Sequence, residues 1–441
     1  MRRLRTGGLA AAAVASLLAV SACGGGETAE ASADGEIRLW LNGTDTPQEL
    51  RDHLEETFEA EHEGMDLVIE EQDWSGLVPR LQTALASEDQ TPDLVEIGNT
   101  QSPTFTYAGA FSDLSDVYDE LGGDDMLPGF VEAGTADGTL YAVPYYSGAR
   151  AVFYRKDLFE QAGVAVPQTL EEFRAAAVAL QQANPSPDFS GFWLPGQDWY
   201  NGIAWLFTGG GELAVQEGDR WVGALSSPES QAALAEVQDL FANATRAPRD
   251  ADSNEPWVAF NNGQAAMFSA PTWARFSIAL PECDKGVAAD DTSPEAQALL
   301  AEQQACNEER TGVFPLPGEQ PGTPATVFAG GSNIAIPTMS QHQEEARDLL
   351  RIVFSEEYQT MLAENGLIPG NSRYADSLGD DPYAEAARAA AVDAKLTPAA
   401  ERWADVEAAR ILEDFFQQIA GGADVAQAAA EADRLLEETL N

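Results

Sequence analysis

Residues 140–156, LYAVPYYSGARAVFYRK, are extended in character and rich in tyrosine and valine. They read as a strand that leaves one unit of the chain and enters another. On the N-terminal side, Ile37-Arg38-Leu39-Trp40-Leu41 alternates as a strand does, and Asn42-Gly43 breaks it. Thr46-Pro47-Gln48-Glu49 has the form of a helix start, with Thr46 as cap, and Leu50, Leu54 and Phe58 repeat on one face. Asp66 to Glu71 is predicted as a second strand and Asp93 to Ile97 as a third, with an amphipathic helix marked by Leu77, Leu81 and Leu85 between them. This alternation predicts an α/β unit with a mainly parallel sheet. Ligands of such sheets sit where strands end, which points to loops 42–45 and 98–101.

On the C-terminal side, Thr169 with Glu172, and Ser227 before Pro228, are predicted helix caps. Residues 329–337, AGGSNIAIP, are extended again, and helices dominate to the end. The chain beyond residue 35 is too long for one compact core. The expectation is two lobes, each built from non-adjacent segments.

The N-terminus gives an address. Arg2, Arg3 and Arg5 precede an apolar run from Leu9 to Val20, then small residues. That is the form of a secretory signal, and the run is too short to span a membrane. Val20-Ser21-Ala22-Cys23 resembles the bacterial lipoprotein signal. The resemblance implies diacylglycerol on the Cys23 sulfur, cleavage of 1–22, and a tether over 23–35. The expected location is the outer face of the cytoplasmic membrane, held by acyl chains.

The net charge of −49 excludes a nucleic-acid partner. The acids are spread along the whole chain, so they read as a solubilising surface; attraction of a cationic ligand is the other reading. Outside the membrane, Cys283 and Cys306 are expected to pair, with two free thiols as the alternative. His53, His62 and His342 show no metal-ligand spacing, so neither metal nor cofactor is expected. No nucleophile elbow or P-loop occurs. With 73 acids in the chain, a glycosidase carboxylate pair stays open.

Tryptophans and tyrosines stand beside chain breakers or small polar residues. They are Trp74 in QDWSG, Tyr145-Tyr146 in VPYYSG, Trp199-Tyr200 in PGQDWYNG, Trp257 in EPWVAF and Trp273 in APTWAR. Rings at element ends suit a sugar, which offers an apolar face and a hydroxyl rim.

At these segments the chain resembles the extracellular solute-binding proteins of sugar ABC importers, related to the maltose-binding protein. The resemblance is carried by Tyr141 to Gly163 with Pro167 to Phe173, by FNNGQAAM (260–267) with Trp273, by FAGGSNIAI (328–336) with Glu345-Ala346, and by LAENGLIPGN (362–371). It implies a two-lobe, type II periplasmic-binding-protein-like α/β fold with hinge segments and an interlobe cleft. The implied first lobe is 36–147 with 312–366, and the second is 148–311 with 367–441. It implies a monomeric, non-enzymatic binder that docks on a membrane permease. The implied site is Asn42, Asp45, Trp74, Asn99, Thr100, Gln101 and Tyr146, facing Trp199, Trp273, Gly331, Ser332 and Asn333. Asp45, Asn99, Gln101 and Asn333 would hydrogen-bond hydroxyls, and Trp199 and Trp273 would stack on rings of an oligosaccharide. Loop 283–306 is longer than the family pattern. Two rivals stay open: a binder of a cationic solute such as a polyamine, using Asp45, Asp73 and Asp198, and a secreted glycoside hydrolase.

Overall fold

Ala142–Arg155 forms one continuous strand in the computed structural model, and its two halves pair with different strands of one eight-stranded sheet. The first half lies between Ala329–Ala335 and the short strand Ile368–Pro369, both antiparallel to it. The second half lies between Met267–Pro271 and Thr311–Pro315. The structure describes residues 35–74, 76–252, 255–287, 293–391 and 394–441. Cys23, the expected signal 1–22 and the tether up to residue 34 lie outside the described residues.

The first lobe extends the sheet past Ala329–Ala335 to Leu94–Gly98, Glu36–Asn42 and Asp66–Gln72. The last three are mutually parallel, as the strand–helix alternation predicts. Leu50, Leu54 and Phe58 of helix Gln48–Glu61 are fully buried against this sheet. Each such side chain contributes about 1.5–3 kcal/mol of burial. The cap expected from Thr46 does not form. Its hydroxyl lies 2.9 Å from the Tyr145 hydroxyl, and Pro47 occupies the cap position. The buried Tyr145 hydroxyl also meets the Tyr358 hydroxyl at 2.6 Å, so Thr46 joins a buried hydroxyl network instead of capping the helix.

The second lobe is helix-rich. Thr169 accepts from Glu172 N–H and Ser227 from Ser230 N–H, so both expected caps are present. The main core gathers Phe173, Phe192, Trp205, Leu234, Trp403 and Phe416. Thr311–Pro315 pairs with the second half of the long strand, and Phe314, Leu316, Val327 and Phe328 pack in this same core. The expected return to the first lobe at 312 therefore falls later, at Ala329, where pairing to the first half begins. A disulfide joins Cys283 to Cys306 of helix Pro294–Arg310, against Phe260 and Phe268. Among the described residues, no helix is long and apolar enough to cross a membrane.

Candidate ligand-binding site

The first-lobe wall is built at the ends of Glu36–Asn42 and Leu94–Gly98. Arg51 fixes the loop after the first strand, donating from Nε to Thr46 O at 2.9 Å and from Nη2 to Gly43 O at 2.7 Å. Asp45 is thereby held where its Oδ2 accepts from Trp74 Nε1 at 3.0 Å and from the Tyr146 hydroxyl at 3.2 Å. The Trp74 ring lies over backbone: a Cβ at Gly43 or Gly98 would come within 3.2 Å of it. It remains 38% exposed. Burial pushes the Asp45 carboxyl up, and the Trp74 and Tyr146 bonds partly offset this.

Behind Asp45 stands Glu96, which is fully buried. Its carboxyl accepts from Asn42 N–H at 2.7 Å and from the Tyr146 hydroxyl at 3.1 Å, and the Ser332 hydroxyl lies beside it. Burial pushes it up to about 7. Sequence reasoning missed Glu96. The available signal was a lone acid in the otherwise apolar strand Leu94–Gly98, since a carboxylate is almost never buried without partners.

The second-lobe wall carries Arg150, Tyr200, Trp273 and Glu407. Arg150 sits in the long strand, with its guanidinium carbon 5.5 Å from the Tyr200 ring centroid. Burial lowers its pKa. Trp273 packs edge-on to Trp257, with centroids 5.6 Å apart, and touches the cores of both lobes. Glu407, on helix Trp403–Ala408, is pushed up to about 7 by burial, against the lowering effect of Thr100 and Gln101.

The two walls meet directly. Gln101 Nε2 donates to Glu407 Oε2, and Ala404 N–H donates to Thr104 Oγ1 at 3.2 Å. Gln101 Oε1 is buried without a hydrogen-bond partner, and the Glu407 carboxyl lies beside the Thr100 hydroxyl and the Trp403 indole. An unpartnered oxygen of this kind carries a desolvation cost that a hydroxylated ligand can offset.

Asp45, Trp74 and Tyr146 are thus joined by hydrogen bonds, Thr100 and Gln101 reach Glu407 of the second lobe, and Trp273 packs against the cores of both lobes. Other expected site residues are used within the fold. Asn42 Nδ2 donates to Glu96 O at 3.0 Å, Asn99 Nδ2 to Ala329 O, and Asn333 Nδ2 to Phe130 O at 2.8 Å. Gly331, at φ 129°, lets the returning strand pass Tyr146, whose carbonyl a Cβ would meet at 2.2 Å. Trp199 is buried in the second-lobe core, stacked on Tyr200 at 3.9 Å. Asp198 caps that helix, accepting from Asn201 N–H at 3.2 Å. A cavity of about 450 Å³ opens on the other face of the long strand, where Ser147, Ala329 and Ile368 meet Phe130, Phe207 and Leu396. None of the cleft side chains lines it.

Two lobes sharing one strand, with a polar and aromatic cleft between them, agree with what known proteins show. Residues 42–360 match the family of bacterial extracellular solute-binding proteins. The chain belongs to that family. The binding protein is 32% identical over 402 residues to the diacetylchitobiose binding protein DasA of Streptomyces coelicolor, covering 89% of this chain and 88% of the relative. It is 27% identical to a mannitol-binding protein of Pseudomonas aeruginosa, over 78% of this chain and 74% of that one. Its fold is that of the sugar-binding protein MalE from Xanthomonas citri, with a TM-score of 0.74, 23% identity, and coverage of 92% of this chain and 97% of that one.

Proposed function

We propose that this solute-binding protein is the lipid-anchored, monomeric receptor of a sugar ABC importer. It closes its two lobes on a neutral oligosaccharide and hands it unchanged to the permease. The observation that carries this reading is the cleft itself. Flat rings (Trp74, Tyr200, Trp273) stand with hydroxyl-accepting groups (Asp45, Gln101, Glu407) on walls that already touch each other. Aromatic faces and side-chain acceptors are the two things a sugar ring asks for. The sugar binders among its relatives support the same conclusion, and diacetylchitobiose is the first ligand to try.

Calorimetry against diacetylchitobiose, maltose and cellobiose, followed by chromatography of the sugars, tests the reading. Tight binding with intact sugar supports it; cleavage products would make the protein a hydrolase instead. The anchor rests on Cys23: a Cys23→Ala chain is expected in the soluble fraction rather than with membranes.

A further inference from the structure

Side chains alternate along the long strand. Tyr146 points to Asp45 and Glu96, while Ser147 lines the cavity on the other face and Ala149 enters the second-lobe core. Gly148 and Arg150 share the parity of Tyr146. Arg150 lies at the point where the strand passes from one lobe to the next, with its guanidinium over the Tyr200 ring. Its Tyr200 neighbour also feels the charge of Glu407, which bonds Gln101 across the cleft.

A guanidinium holds five N–H donors in a planar fork. Among the described residues, Arg150 spends one, from Nη1 to Ser269 O at a long 3.4 Å. Its Nε is buried with no partner. Asp198, whose charge acts on Arg150, accepts from Asn201 N–H and Nδ2. Fixed donors left unspent in a buried place cost free energy unless something else accepts from them.

We infer that Arg150, steadied against Tyr200, is a specificity-determining residue that donates to the carbonyl oxygen of an acylamino substituent on the sugar. This rests on the reading of the cleft as a sugar site. An amide oxygen is planar, has two in-plane lone pairs and is neutral, so it takes two N–H groups of the fork at once. A hydroxyl offers no such plane. A sugar carboxylate also matches the fork, so a diuronic acid is the competing ligand in the test.

The test is calorimetry of the wild type, Arg150→Lys and Arg150→Met with diacetylchitobiose, cellobiose and a diuronic acid. The first two share a β-1,4 frame and differ in the acetamido groups. The wild type is expected to prefer diacetylchitobiose at least tenfold over cellobiose. Both variants should bring that ratio within about threefold, with the greater loss falling on diacetylchitobiose. Lysine keeps the charge and loses the fork, so it separates geometry from charge and guards against a Met variant that misfolds. Equal loss for both sugars, an undiminished ratio in Arg150→Lys, or tightest binding of the diuronic acid overturns the inference while leaving the sugar reading in place. A wild type that binds no sugar overturns both.

Discussion

The tripeptide Gln-Asp-Trp occurs twice, at 72–74 and at 197–199, and the structure uses it in opposite ways. After the second strand it ends in a ring that is 38% exposed, lies over glycine backbone and donates to Asp45. At 197–199 the aspartate caps a helix of ten residues, and the ring is 3% exposed in the second-lobe core. Residues 199–208 are apolar enough around the helix to be buried on nearly every side. Local sequence placed both rings at element ends. The residues C-terminal to each tripeptide decided the rest: the left-handed Gly76 starts a new helix only after the first ring, and Tyr-Asn-Gly-Ile-Ala-Trp carries the second into a core.

This comparison can be broken by experiment. Trp199→Ala is expected to cost about 3–5 kcal/mol of stability in urea unfolding, because it opens a cavity in a packed core. Only a small loss would mean the ring is available to ligand after all. Next in size is the acid behind the exposed ring. Glu96 titrates near 7 when folded and at its ordinary 4.5 when unfolded, so the folded chain holds the proton more tightly between those values. Stability from this group is fully present below pH 4.5 and is lost as pH rises to 7, on the order of 3 kcal/mol. Glu96→Gln should remove that much of the difference between unfolding at pH 4.5 and at pH 7.5; an unaltered difference would show that Glu96 is ionised in the folded protein.

Smaller effects sharpen the contrast on the ligand side. Trp74→Ala should weaken binding of the cognate sugar at least tenfold, about 1.4 kcal/mol, while unfolding stays within roughly 0.5 kcal/mol. Equal affinity would remove the ring from the site. Gln101→Ala deletes one side of the bond to Glu407 between the lobes. A single hydrogen bond is worth about 0.5–1.5 kcal/mol net, so unfolding stability should fall by about that much and affinity by at most about threefold. A larger fall would show that Gln101 also holds the ligand directly.

Much of the fold was legible. The long strand, the parallel strands before it, the Thr169 and Ser227 caps and the pairing of two cysteines outside the membrane all rest on local pattern or on composition. The site was legible in part. Asp45 bonds Trp74 and Tyr146, and Gln101 reaches Glu407 of the other lobe, whereas Asn42, Asn99 and Asn333 spend their amide hydrogens on carbonyls brought to them from far along the chain. Glu96 and Arg150 were overlooked, although each interrupts an apolar strand with a charge.

By itself the sequence determined which segments are strands and helices, that two lobes share a crossing strand, and which loops end at the sheet edge. Periodicity, caps and turns act between neighbours, so a linear text records them. The tertiary structure alone decided which tryptophan faces solvent, which asparagine amides are already engaged, and where the second lobe gives way to the first. Burial and hydrogen-bond satisfaction depend on atoms distant in the chain, and only packing brings those atoms within reach.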